Sequence, residues 1–353
     1  MMDNQLIYNL HQEIYSAHSI EQLRGVSALM PDMVRLALNS GEETIKVVQL
    51  ISRLNDAVTL RLIDMLQSTE GIRLPEDATL LVLGSEGRGE QTLRTDQDSA
   101  IVYSDDLSSE QILDVERFAK RLVAALEEIG VPRCSGNIMA SNPQWCHSVS
   151  EWKKLLDLWI ANPTPEHVLN FGKFQDLRAL HGDDTPAMQL RDHICTSVQC
   201  HNWFFPNMAR HVVHFPPPFT FFGNIRVEDS GKFNGMVDLK KLGIFAITTG
   251  ASLLVLEYGM IGGCTWKKLE TLVNTAFFSS GDYETITKAF TFLVQLRLQQ
   301  QLRDLSIGNP VTDSVDLRRM TENEHEQFRQ ALNGISTFLQ IFRAHYLLDS
   351  ISI

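Results

Sequence analysis

Asp96 and Asp98 stand one residue apart in the run LVLGSEGRGEQTLRTDQDSAIVY, residues 81–103. An extended segment points alternate side chains to opposite faces, so the two carboxylates share a face while Gln97 points away. Side by side they repel unless a cation lies between them. Hard oxygen donors suit Mg²⁺, which takes one or two carboxylates and completes its shell with phosphate oxygens and water. Mn²⁺ accepts the same donors. Upstream, Gly84 lets the backbone approach a ligand closely, the amides after it can cradle a phosphate, and Ser85 adds a hydroxyl. Arg88 and Arg94 lie between the turn and the aspartates, where a guanidinium fork can meet two phosphate oxygens.

Each part has a plainer reading on its own. An Asp-x-Asp is common in loops and helix caps. The glycines at 84, 87 and 89 have the spacing of neither a dinucleotide fingerprint nor a lysine-bearing phosphate loop. The conjunction is rarer: an apolar strand, a Gly-Ser turn, ten residues, then paired aspartates opening a second strand. It points to a metal-dependent nucleotide site with Asp96 and Asp98 as metal ligands and Gly84, Ser85, Arg88 and Arg94 around the phosphates.

The elements that must position these residues can be read from periodicity. Apolar residues at Val47, Leu50, Ile51, Leu54, Val58, Leu62 and Met65 make one stripe of a long helix over 43–66. Gly71 and Pro75 break it. The runs 78–84 and 99–103 read as buried strands. Between 108 and 130 the chain predicts a helix capped by Ser108 or Ser109, acidic in its first turn at Glu110 and stopped by Gly130. Further strands are expected at 133–140 and 174–180. Strand, helix and strand in this order predict an α+β fold with a mixed sheet. After residue 185 the chain reads as mostly helical, with a proline-fixed loop at 214–223. The organisation expected is an N-terminal helical segment (1–75), the sheet-bearing core (76–185) and a C-terminal helical domain (186–353). The last helix carries Phe328, Leu332, Ile335, Leu339, Phe342 and Tyr346, a stripe that suits a core helix or a homodimer seam.

With 353 residues, 44% hydrophobic and 21% charged, the chain can bury a real core. Its formal net charge of -12 argues against a nucleic-acid partner. The five cysteines include no CxxC pair. Cys195, Cys200 and His201 lack the second half of a zinc site, so buried thiols in a reducing compartment are expected. The apolar stretch 242–263 contains threonines, glycines and Glu257, which suits a buried helix and not a membrane span. With no basic-then-apolar start, a cytoplasmic location is expected. His147 and His181 read as solvated or hydrogen-bonded loop histidines. Asp238 and Lys240 fit either a contact with nucleotide or acceptor or a capped helix start. Trp203, Phe204 and Phe205 read as core.

The turn and aspartate strand resemble the signature of the DNA polymerase β-type nucleotidyltransferases. More narrowly, GSEGRGEQTLRTDQD resembles the bacterial PII uridylyltransferases and glutamine-synthetase adenylyltransferases. It is most similar to the nucleotidyltransferase family often fused behind CBS and cyclic-nucleotide-binding domains. The segments GNIMASNPQW, FQDLRALHGD and FFGNIRVEDSGKFNGMVDLKKLG carry the resemblance onward, over most of the chain from about residue 10. It implies Mg²⁺- or Mn²⁺-dependent transfer of a nucleoside monophosphate from an NTP to a protein or small-molecule hydroxyl, in a regulatory role. It also implies a third carboxylate on a neighbouring strand. The expected third strand offers Asn137 there, so Asp176 is the candidate, beside Arg178 on the same face; a plain Asp176–Arg178 ion pair is the other reading. A nucleotide-sensing signalling module without turnover is the rival function.

Overall fold

The computed structural model describes residues 4–93, 96–214, 225, 227–228 and 233–349. The expected loop at 214–223 and Arg94 lie almost wholly outside the described residues. The chain divides into two compact units, Met1–Trp159 with Lys173–Ser197 and Ile160–Gly172 with Val198–Ile353.

In the first unit, α1 (Asn4–Ser16), α2 (Ile20–Ser27), α3 (Met30–Asn39) and α4 (Thr44–Thr69) lead into β1 (Ala78–Val82). Then follow α5 (Gly84–Gly87), β2 (Ser99–Tyr103), α6 (Ser109–Glu128), β3 (Cys146–Ser148) and α7 (Val149–Ala161) as far as Trp159. The last residues of α8 (Pro165–Phe174), β4 (Arg178–Gly182) and most of α9 (Thr185–Gln199) complete it. The sheet order is β3-β2-β1-β4, with β1 antiparallel to both β2 and β4 and β2 parallel to β3. The fold is therefore the expected α+β arrangement with a mixed sheet.

Every residue of the expected α4 stripe, from Val47 to Met65, is buried. Each such side chain contributes about 1.5–3 kcal/mol of transfer free energy. The N-terminal helices pack in the same unit as the sheet, with α4 against α6 and β4. Ser108 caps α6 in a reciprocal box with Gln111, and Gly130, at φ 101°, ends it.

Two expected strands are placed differently. Residues 133–140 form no strand; Arg133 makes one bridge to Gln97, and the chain then turns, with the Asn137 amide donating to the Cys134 carbonyl. Asn137 sits at φ 55°, a left-handed conformation that asparagine tolerates and a strand does not. The neighbour of β2 is instead β3, after the helical turn Pro143–Trp145. Residues 174–177 are not strand either. Phe171 and Phe174 recur at helical spacing and are both buried, so α8 runs to Phe174 and β4 starts at Arg178. Asp176 lies in the turn between them, so the expected shared face with Arg178 does not arise.

The second unit contains α10 (Phe204–Val212), β5 (Val237–Asp238), a π-helical turn at Lys240–Ile244 and α11 (Phe245–Glu257). It ends with α12 (Thr265–Asn274), α13 (Ser280–Ser306), β6 (Ser314–Val315) and α14 (Glu322–His345). Helix α11 is buried on all sides. Gly250 lets α14 close on it, since a Cβ there would stand 2.6 Å from the Phe338 ring. Phe328, Leu332, Ile335, Phe342 and Tyr346 are buried within this unit against α11 and α13, which accounts for the stripe as core. Phe338, and not the expected Leu339, completes it. No helix among the described residues is long and apolar enough to cross a membrane.

Candidate active site

Strand β1 ends at Val82 and the chain turns at Gly84, which takes φ 54°. The Leu83 amide donates to the Asp98 carbonyl at 2.9 Å, which ties the turn to the segment carrying the aspartates. A Cβ on Gly84 would lie 3.2 Å from Asp98 Oδ2 and 3.7 Å from Lys173 Nζ. The missing side chain therefore leaves the space in which Asp98 and Lys173 meet. Gly87 has a different reason to be glycine, because a Cβ there would run into the Asp176 carbonyl oxygen.

The alternation expected for Asp96, Gln97 and Asp98 holds although β2 begins only at Ser99. Gln97 is buried and its Nε2 donates to the carbonyls of Val123 and Val131, on the side away from the aspartates. On the other side, a carboxylate oxygen of Asp96, one of Asp98 and Cys134 Sγ all lie within 4.8 Å of one another. Among the described residues this is the one group of acidic, cysteine or histidine side chains so arranged. Asp96 is exposed, whereas Asp98 is 4% exposed. Asp98 Oδ2 accepts from Lys173 Nζ at 2.6 Å. Asp98 Oδ1 is buried with no hydrogen-bond partner. The Cys134 thiol beside this carboxylate is a weak donor that compensates a buried charge poorly, and a cation would do so better.

The donor set fits a hard divalent ion. Burial, and then the Asp98 charge, push the Cys134 thiol up to about 11, so before an ion binds it is a neutral thiol and a weak ligand. Two carboxylates remain, the number that Mg²⁺ or Mn²⁺ uses when phosphate and water supply its other ligands. A soft-metal site would need thiolate.

Lys173 reaches the site because an aromatic cluster anchors the end of α8. Phe174 is buried against Trp152 with ring centroids 4.5 Å apart, Trp145 and Trp159 close the cluster, and Trp152 Nε1 donates to the Ile101 carbonyl of β2. Burial lowers the affinity of the Lys173 amine for its proton, but Asp98 and then Asp96 outweigh it and the net shift is upward.

Arg88 and Asp176 meet each other. Arg88 Nη1 donates to Asp176 Oδ2 at 2.6 Å and Nε to Glu90 Oε2 at 2.9 Å, with Asp176 1% exposed. Burial works against the guanidinium charge, but the two carboxylates raise its pKa further above its ordinary value. Arg178 donates to Asp56 Oδ1 and the Glu86 carbonyl, not to Asp176. Ser85 stands beside Gly84, half-buried. Asp238 and Lys240 belong to the other unit, where Asp238 Oδ1 accepts from the Lys240 and Lys241 amides as a cap does. His147 Nε2 donates to the Gln144 carbonyl and His181 lies 3.5 Å from Gln67; burial lowers both imidazole pKa values. Phe204 is core as expected, but Trp203 is 52% exposed. Of the cysteines, Cys134 is buried and Cys200 exposed.

Glu86 has a measurable consequence. Burial first, then Asp56, raise its carboxyl from 4.5 to about 8, with Asp98 and Asp96 adding and Arg178 opposing. Between pH 4.5 and 8 the folded chain keeps a proton that the unfolded chain has released, so folding stability falls as pH rises through that window. Glu86→Gln, neutral throughout, should lose that decline and gain about 2 kcal/mol over wild type near pH 8.5, allowing for partial solvent screening. Urea unfolding with EDTA at pH 5 and 8.5 measures it; identical pH slopes in the two proteins would refute it.

The comparison with protein families decides what this site belongs to. A family model described as "Putative nucleotidyltransferase DUF294" matches residues 28–166. A second, described as "Putative nucleotidyltransferase substrate binding domain", matches residues 202–346. The chain belongs to this nucleotidyltransferase family. A search of curated proteins finds no match. The first family match contains the Gly84 turn, both aspartates and Cys134, and ends before Lys173. Membership implies nucleotidyl transfer with an NTP as substrate.

Lys173 and Cys134 escaped the sequence reading as site residues. Lys173 is 75 positions from Asp98, and nothing local marks it. Cys134 read correctly as a buried thiol, but its neighbours were hidden by the strand expected there.

Proposed function

We propose that the chain moves a nucleoside monophosphate from an NTP to a hydroxyl of a protein or small molecule, in a regulatory role, with Mg²⁺ or Mn²⁺ held by Asp96 and Asp98. The observation that carries this is the grouping of an Asp96 and an Asp98 carboxylate oxygen with Cys134 Sγ within 4.8 Å, together with a buried Asp98 Oδ1 that accepts no hydrogen bond of normal geometry, behind the Gly84 turn. When bound, the ion would neutralise phosphate charge and favour departure of pyrophosphate. The protein's part is to hold the two carboxylates on one face, to keep the Gly84 position open, and to keep Asp98 away from water. In this reading Ser85 donates toward a phosphate from the turn. A transfer forms the bond from the acceptor oxygen to the α-phosphorus and breaks the bond to the pyrophosphate oxygen. The acceptor's proton must leave with it.

One observation favours the rival reading of a nucleotide sensor. Asp176, the candidate third carboxylate, is paired with Arg88, and Arg88 is in turn held by Glu90. A site that lacks a free third acid can bind nucleotide without turning it over. Incubation with each α-labelled NTP, Mg²⁺ or Mn²⁺ and lysate from the native host separates the two. Label should appear on an acceptor. Nucleotide binding by calorimetry with no labelled product from any NTP would leave the sensor as the function.

A further inference from the structure

The Lys173–Asp98 contact places a protein cation where the proposed function needs a metal. Lys173 Nζ lies 2.6 Å from Asp98 Oδ2, and the stem of the same side chain passes 3.6 Å from the Cβ position of Gly84. The carboxylate it holds is one of the group formed with Asp96 and Cys134. Asp98 is nearly inaccessible, whereas the Lys173 side chain is 31% exposed, so the ammonium has a route to water and the carboxylate has none. Among the described residues, Arg88 and Arg178 near the turn bind other carboxylates: Arg88 those of Asp176 and Glu90, Arg178 that of Asp56.

We infer that Lys173 is a resident counter-cation that holds the paired aspartates ready before metal binds and that a divalent ion must displace to load the site. This rests on the proposed role of Asp96 and Asp98. Without a cation, two carboxylates this close would splay apart, and Asp98 would be a buried, uncompensated charge. With the ammonium in place the pair is preorganised, but the ion has to compete for Asp98 Oδ2. Lys173 is thus a positioning residue whose removal should strengthen metal binding, a direction that a purely structural ion pair does not produce.

The test is Mn²⁺ binding to the nucleotide-free full chain, followed by the electron paramagnetic resonance signal of free Mn²⁺. Lys173→Gln keeps a donor toward Asp98 and removes the charge. It should bind Mn²⁺ about tenfold more tightly than wild type. Equal or weaker binding would overturn the inference. Lys173→Arg covers the case in which the glutamine variant does not fold. Its guanidinium fork can engage both Asp98 oxygens, including the free Oδ1, and it never loses its charge. It should bind Mn²⁺ about tenfold more weakly than wild type, and Mn²⁺ affinity equal to or above wild type would also overturn the inference. The two readings fail separately. Label transfer by wild type with no tightening in Lys173→Gln removes the counter-cation and keeps the enzyme; the shifted Mn²⁺ affinities without label transfer do the reverse.

Discussion

Asp98→Asn is expected to lower nucleotidyl transfer by about 10³-fold, equivalent to about 4 kcal/mol of transition-state stabilisation. The substitution replaces a buried carboxylate, 4% exposed and with one oxygen unpartnered, by an amide whose NH₂ group points a donor where a cation belongs. It also leaves the Lys173 ammonium with a neutral acceptor in place of a buried carboxylate. Asp96→Asn should cost less, about tenfold, because Asp96 is exposed and water can take over part of its coordination. The checks are Mg²⁺-dependent NTP binding by calorimetry, transfer of α-label, and circular dichroism to confirm the fold. Equal NTP affinity in wild type and the double variant Asp96→Asn plus Asp98→Asn would show that the aspartates do not build the site.

That prediction was open to sequence because its parts are local. The apolar runs that become β1 and β2 flank the Gly84 turn and the aspartates within 26 residues, Ala78–Tyr103, so spacing alone limits how they fold. The long helix α4 and the capped helix α6 were equally readable, one from its stripe and the other from its capping box. What could not be read depends on contacts between distant positions. The partner of Asp98 comes from α8, across a helix-rich stretch, and its placement depends on four aromatic rings gathered from three segments. The segment 133–140 shows the opposite failure. Its apolar residues Ile138, Met139 and Ala140 are buried as a strand's would be, but Gly136 and Asn137 turn the chain first, and the parallel neighbour of β2 comes from Cys146–Ser148. Burial was legible there and pairing was not, since both strand and turn can bury the same side chains.

The same distinction governs Arg88, whose sequence position between turn and aspartates suggested a phosphate ligand. In the fold, its guanidinium donates to Asp176 and Glu90, both buried, and its own side chain is 12% exposed. Removing one partner of a buried ion network leaves the others uncompensated and costs about 3–5 kcal/mol. Arg88→Ala is therefore expected to lower stability by that amount, because two buried carboxylates lose the Arg88 guanidinium at once and the turn at Gln175–Asp176 loses that tie to α5. Arg88→Lys should recover only part of the loss, since a single ammonium cannot reproduce two donors directed at two carboxylates. The Asp176 carbonyl would still press on Gly87, so the backbone contact persists while the side-chain network fails. Urea unfolding midpoints for wild type, Arg88→Ala and Arg88→Lys measure the effect. A variant as stable as wild type, whose affinity falls much more for an NTP than for its monophosphate, would instead make Arg88 a triphosphate ligand. In that case Arg88 would leave Asp176 for the phosphates when nucleotide binds, and Asp176 would be the candidate third carboxylate.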